Sequence, residues 1–228
     1  MKEIGIIGGI GPAATICFEK LIIKRTVAER DQDYIPMATL NDTRIPDRTA
    51  YILGESDENP GTLMVQDAKR LEALGCDCIA MPCNTAHYFY DEIVANVNIP
   101  VFNLLDETMK QCKGIKKAGL LATEGTLKSG IYERYAKEYG VELILPTEED
   151  RKKTMEIVYD QVKAGKEIDI FGFRKLVSNL VERGSDAVIL GCTELSVINM
   201  RYELENVIDP LDALAVSMVR FCGKEVRE

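Results

Sequence analysis

The chain of 228 residues contains no uninterrupted apolar run of about 18 residues, the length a helix needs to cross a bilayer, so no membrane partner is expected. It also lacks an excess of positive charge. Lys and Arg number 28 against 37 Asp and Glu, the net charge is −9, and the lysines are interleaved with acids. Phosphate backbones call for a basic stripe, so no nucleic-acid partner is expected either. The N-terminus, Met1-Lys2-Glu3-Ile4-Gly5, runs straight into a strand-like segment without the charged region, apolar stretch and small-residue cleavage site of a secretory signal. A cytoplasmic location is the expectation. Histidine is nearly missing: His87 is the only one, and no paired Cys-x-x-Cys or second histidine stands at zinc spacing, so no metal is expected. No linker rich in Pro, Gly or Ser divides the chain, so any two halves must pack closely.

What is present is enough to build a core, with 46% hydrophobic and 29% charged residues. The seven cysteines are odd in number, and the chain is too long to need a disulfide framework. Cys17, Cys76, Cys78, Cys112 and Cys222 lie inside apolar helix or strand patterns and read as packed thiols. Cys83 and Cys192 differ. Each follows a short apolar run that opens on an acid, Asp77-Cys78-Ile79-Ala80 and Asp186-Ala187-Val188-Ile189, and each leads into Cys-polar-polar and then a helix-compatible segment. That is the C-terminal edge of a strand, where open α/β sheets place their chemistry.

The likeness extends beyond the two cysteines. Lys116 to Thr123 resembles Lys2 to Gly9, Arg183-Gly184-Ser185-Asp186 resembles Leu74-Gly75-Cys76-Asp77, and Val207 to Asp212 resembles Val101 to Asp106, at offsets of 114, 109 and 106. Three matches in the same order indicate an internal duplication. The expected fold is therefore α/β, with two similar lobes of mostly parallel sheet related by a pseudo-twofold axis and the site in the cleft between them. The first lobe spans 1–113, the second 114–210, and a C-terminal helix within 211–228 packs back on the first.

In more detail, a strand over Gly5–Gly9 enters a glycine-rich turn, and Pro12 opens a helix from Ala13 to Ala28 whose buried face is Ile16, Leu21, Ile22 and Ile23. A strand covers Tyr34–Leu40, a long polar loop Asn41–Gly61, a helix Thr62–Leu74, and a helix Ala86–Ala95. A short strand near Val101 follows.

Two thiols on opposite sides of a carbon can invert it, one removing the α-proton as thiolate while the other supplies a proton to the opposite face. Free thiols titrate near 8.5, and turn N–H groups or a nearby cation lower that value, so a thiol and a thiolate can coexist at neutral pH. Arg48, in the long loop, has the planar fork that grips a carboxylate, or it is a surface arginine paired with Asp47. Lys163, in Val162-Lys163-Ala164-Gly165, reads on its own as a lysine at a helix C-terminus, with Lys166 as its neighbour. His87, four residues after Cys83, is either a nucleophile partner or a satisfied helix histidine, the latter being the commoner case. Gly9-Ile10-Gly11-Pro12-Ala13-Ala14 meets the loose dinucleotide fingerprint, but Pro12 removes an N–H from the helix start that would cradle pyrophosphate.

Gly8-Gly9-Ile10-Gly11-Pro12-Ala13-Ala14-Thr15, Ile45-Pro46-Asp47-Arg48-Thr49, Met81-Pro82-Cys83-Asn84-Thr85-Ala86-His87 and Gly191-Cys192-Thr193-Glu194, in that order, resemble the pyridoxal-phosphate-independent aspartate/glutamate racemase family, its aspartate racemases above all. The resemblance spans nearly the whole chain. It implies a homodimeric isomerase that interconverts L- and D-aspartate without a cofactor, and a small acidic amino acid as its ligand. By position it implies Cys83 and Cys192 as the acid/base pair. Asn84, Thr85, Ala86 and Thr193 would bind the α-carboxylate or amino group, and Arg48 and Lys163 the side-chain carboxylate. Glutamate or a broad range of amino acids is the alternative substrate. A cysteine-dependent isomerase, decarboxylase or hydantoin-type ring-opening enzyme on the same scaffold is an alternative activity, and an amino-acid-binding protein without catalysis is the alternative outside enzymes.

Overall fold

Apolar runs without polar alternation become strands that are covered on both faces. In the computed structural model, which describes residues 1–228, β1 (Ile4–Gly8) is buried throughout and pairs in parallel with β2 (Met37–Asn41) on one side and β3 (Cys78–Ala80) on the other. Val101 adds a single parallel bridge to Ile79, so the expected fourth strand is reduced to one residue. The second sheet has the order β5 (Glu142–Ile144), β4 (Lys117–Ala122), β6 (Ala187–Gly191), β7 (Val207–Ile208), again all parallel.

The duplication is visible atom by atom. Asp77 Oδ2 accepts from the Glu3 N–H at 2.7 Å, and Asp186 Oδ2 accepts from the Lys117 N–H at 2.9 Å, so the acid before each cysteine strand ties down the start of the central strand. Asn103 Oδ1 accepts from the Leu105 N–H at 3.0 Å, and Asp209 Oδ1 accepts from the Leu211 N–H at 3.0 Å. These are helix N-caps that satisfy orphan donors of α5 (Leu104–Gln111) and α11 (Pro210–Phe221). Gly75 and Gly184 both sit at left-handed φ, 93° and 96°, where the helices α3 (Pro60–Ala73) and α9 (Ile170–Glu182) turn into the cysteine strands.

Three hydrophobic clusters hold these layers. The largest lies between the sheets and takes Ile4, Ile6 and Ala80 from one, Leu120, Ala122 and Ile189 from the other, with α11 packed on α1 (Pro12–Arg25) and α5. The outer faces are covered by α3 on the first sheet and by α9 with the segment 156–163 on the second. No helix is long and apolar enough to cross a membrane.

Three local expectations need correction. Helix α1 buries Ala14, Cys17, Phe18, Leu21 and Ile22, whereas Ile16 and Ile23 are 53% and 46% exposed. Positions 14, 17/18 and 21/22 form one helical stripe, and 16 and 23, seven apart, form another that faces outward. The polar stretch 41–61 is interrupted by α2 (Arg48–Leu53), which Asp47 caps by accepting from the Ala50 N–H at 2.9 Å. The segment after Cys83 begins as a 3-10 helix, Thr85–Phe89, and only Tyr90–Val94 (α4) is α-helical. The remaining helices are α6 (Glu124–Ser129), α7 (Ile131–Tyr139), α8 (Glu148–Met155) and α10 (Thr193–Tyr202). Helix α8 runs into the π-helical segment Glu156–Lys163.

Candidate active site

Cys83 lies three residues beyond β3, and Cys192 follows β6 as the N-cap of α10. Both are buried, and both line one cavity of about 10 Å³ walled by residues from each half of the molecule. Arg48, Asn84, Thr85, Lys163 and Thr193 line the same cavity. Ala86 does not: its methyl is packed in the outer core of the first sheet, and its backbone N–H bears on the site only by lowering the Cys83 thiol. Free space of this size holds about one water molecule at most.

Its walls are rich in unspent donors. Six buried side-chain N and O atoms have no hydrogen-bond partner, and three of them, Arg48 Nε, Asn84 Nδ2 and Thr193 Oγ1, belong to cavity residues. Each orphaned buried donor costs about 1–3 kcal/mol. A ligand rich in acceptor oxygens would relieve that cost, as a carboxylate would. Asn84 itself is pinned from behind, its Oδ1 accepting from the Tyr132 hydroxyl, so its amide is aimed rather than free to rotate.

The two cations arrive from opposite halves. Arg48 is the first residue of α2 and is only 8% exposed. Its Nη1 donates to the carbonyls of Pro46 at 2.7 Å and Ile45 at 3.3 Å, and it makes no ion pair with Asp47, which excludes the surface-pair reading. Lys163 comes from the π-helical segment, lies 3.9 Å above the Tyr159 ring, and has its Nζ 3.7 Å from Asp47 Oδ2. Burial works against its charge, but Glu194, Tyr159, Cys192 and Asp47 outweigh burial and hold its pKa above the ordinary lysine value. Lys166 is exposed and lies outside the cavity wall.

The thiols depart from expectation. Burial pushes Cys83 above the ordinary thiol value, even though Arg48, the Ala86 N–H and Lys163 pull it down. Burial raises Cys192 further, and the Glu194 carboxylate adds to the rise. Burial thus favours the thiol form of both, because the desolvation cost of a buried thiolate exceeds what the cations return. Glu194 supplies the missing acceptor: Cys192 Sγ donates to Glu194 Oε2 at 2.9 Å. The other carboxylate oxygen lies against the β1–α1 turn, where a Cβ on Gly11 would stand 2.5 Å from Glu194 Oε1. A glycine at 11 thus lets the second half's motif reach over the first half's turn, and Glu194 fills the space above Gly11 that a pyrophosphate would need.

On the other side, Thr85 also reaches into the opposite half. Thr85 Oγ1 shares hydrogen bonds with Thr126, in α6, at 2.8 Å and with Thr123, its N-cap, at 3.2 Å, and Thr49 donates to Thr123 at 3.4 Å. Cys83-Asn84-Thr85 and Cys192-Thr193-Glu194 are equivalent triplets, each with its third residue reaching across the seam. His87 takes no part in the chemistry. Its Nε2 accepts from the Leu104 N–H at 3.0 Å, so Nδ1 carries the proton that goes to the Cys83 carbonyl at 2.8 Å. Burial lowers its pKa to about 4, leaving a neutral brace beneath the Cys83 turn.

Ile10, Thr49, Thr123, Tyr159 and Glu194 also line the cavity, as does Asp47, which the sequence offered only as a surface partner of Arg48. Glu194 carried a readable signal, standing opposite Thr85 in the duplicated triplet. Tyr159 carried none, because nothing local distinguishes it from a packing tyrosine.

The fold and the cavity define a class: two-lobed α/β proteins in which each half delivers one strand-end thiol to a shared, donor-lined pocket. The chain belongs to the Asp/Glu/Hydantoin racemase family, whose model matches residues 7–218. It is 30% identical to a broad-specificity amino-acid racemase of Bacillus subtilis, covering 95% of this chain and 96% of that protein. An aspartate racemase of Picrophilus torridus superposes with a TM-score of 0.85 at 33% identity, covering 100% of this chain and 96% of the other. An aspartate racemase homologue from Pyrococcus horikoshii does so with a TM-score of 0.77 at 25% identity, covering 98% of this chain and all of the other.

Proposed function

We propose that this racemase-family protein interconverts L- and D-aspartate by a two-thiol α-proton transfer that uses no cofactor. The observation that carries the reading is the pair of duplicated strand-end cysteines, Cys83 and Cys192, on the wall of one cavity. One sulfur, as thiolate, removes the α-proton. The other, as thiol, gives its proton to the opposite face, so the products are the inverted amino acid and a sulfur pair with exchanged protonation. Negative charge that develops on the α-carboxylate meets Asn84 Nδ2 and Thr193 Oγ1, donors with no hydrogen bond to give up, and the Tyr132 hydroxyl already aims the Asn84 amide. Arg48 and Lys163 receive the distal carboxylate. Glu194 takes the Cys192 proton when that sulfur must act as base.

The test is incubation with L-aspartate in heavy water without pyridoxal phosphate. Deuterium is expected at Cα of the D product, and racemisation is expected to vanish in Cys83→Ala and in Cys192→Ala separately. Full activity in either variant removes the two-thiol assignment. A wider substrate range is favoured by one observation, the 30% identity to the broad-specificity enzyme of B. subtilis. Comparable turnover of neutral amino acids would establish it.

A further inference from the structure

A cavity that binds an acidic amino acid through Arg48 and Lys163 would be expected to be positive. This one is balanced, since Asp47 and Glu194 stand on the same wall as the two cations. Glu194 is engaged with Cys192, but Asp47 has no such duty toward the chemistry. Its carboxylate projects from the cap of α2 toward the opposite half, where Tyr159 Oη donates to it at 3.2 and 3.4 Å and Lys163 Nζ stands at 3.7 Å. The protein's own carboxylate therefore sits beside the cation proposed to receive a substrate carboxylate. The ion pair is long and both side chains keep partial contact with solvent, 26% for Lys163 and 37% for Asp47, so a ligand can displace it.

We propose that Asp47 is a specificity-determining residue, a built-in competitor for Lys163 that limits how strongly the site prefers acidic over neutral amino acids. This rests on the racemase reading above. A substrate with a distal carboxylate must take Lys163 from Asp47, and a substrate without one leaves the pair in place. The same contact ties the two halves together through Tyr159 and Lys163, so its breaking accompanies admission of an acidic ligand to a cavity that is otherwise too small for it. Burial would raise the Asp47 pKa, yet the Ala50 N–H, Lys163, Arg48 and Tyr159 outweigh it and keep the group ionised at neutral pH.

Asp47→Asn keeps the size and the cap, because an amide oxygen can still accept from the Ala50 N–H. Calorimetric dissociation constants for succinate, a dicarboxylate with no α-amino group, and for propionate, its one-carboxylate counterpart, test the proposal on the intact protein. Succinate is expected to bind roughly tenfold tighter to Asp47→Asn, with propionate within about twofold. The gain is expected to disappear when the same substitution is made in a Lys163→Met background, with Lys163→Gln as a second background should the first not fold. Unchanged or weaker succinate binding in Asp47→Asn overturns the proposal. So does a gain of equal size with and without Lys163, which would assign the effect to the general field of the carboxylate. Binding is read here without turnover. Absence of isotope exchange in the wild-type protein sinks the racemase reading alone, whatever Asp47 does.

Discussion

Replacing Glu194 by Gln preserves volume in a site where Glu194 is 5% exposed and exchanges the charged carboxylate that accepts from the Cys192 thiol for a neutral amide oxygen that cannot take its proton. Hydrogen bonds to charged groups contribute about 1.5–3 kcal/mol, and this one is made to the sulfur proposed as an acid/base group. Loss of that much transition-state stabilisation lowers kcat/KM roughly 10- to 150-fold. Because the equilibrium constant of a racemisation is unity, the fall must be the same from L- and from D-aspartate, which polarimetry started from each enantiomer can verify. A second effect runs the other way. Glu194 raises the Cys192 thiol through its charge and its hydrogen bond, so the Gln variant should ionise Cys192 at lower pH. Alkylation of Cys192 by iodoacetamide, followed by peptide mass spectrometry across pH, reads that directly. The combination expected is a more reactive Cys192 in a slower enzyme. A kcat/KM within roughly threefold of wild type, together with the alkylation shift, would show that the carboxylate only perturbs the thiol and takes no proton from it.

Arg48→Ala should cost more with aspartate than with alanine, by roughly a factor of ten or more, since a charge-assisted contact to the distal carboxylate is lost with only one of them. Equal losses in kcat/KM would move Arg48 away from that carboxylate. His87 gives the protein an acid-sensitive component. Its pKa falls from 6.5 to about 4 on folding, so the unfolded chain takes a proton between those values and the folded chain does not. Stability is complete above 6.5 and is lost as pH falls toward 4, by about 3 kcal/mol at roughly 1.4 kcal/mol per pH unit. Urea denaturation of His87→Gln between pH 7 and 4 should lack that component, and an identical pH slope in the two proteins would refute it.

How much of this was legible beforehand depends on the range of the interaction responsible. The duplicated acids Asp77 and Asp186, the likeness of Val101–Asp106 to Val207–Asp212, and the strand-end cysteines were legible because each belongs to a repeating unit, so a repeat in sequence is a repeat in structure. The buried face of α1 was not. Ile16 and Ile23 are as apolar as Leu21 and Ile22, and only the placement of α11 against one stripe decides which is covered. Helix α2 was hidden in a polar loop because its cap, Asp47, looks like any loop acid until the Ala50 N–H meets it. The hydroxyl cluster of Thr49, Thr85, Thr123 and Thr126 joins residues up to 74 positions apart, and no local pattern announces it.

The amino-acid order alone determined that this protein has two related halves, that each carries a cysteine at the end of a parallel strand, and which family pattern the motifs follow, because strand patterning, turn chemistry and duplication are properties of neighbours along the chain. The charge state of those cysteines was left to the tertiary structure. Local turn geometry argued for easily ionised thiols, but docking of the halves excludes water, raises both thiols, and brings Glu194 to one of them. Desolvation and long-range pairing arise only when distant segments meet. The protonation of the site and the Asp47–Lys163 contact across it are therefore properties of the fold.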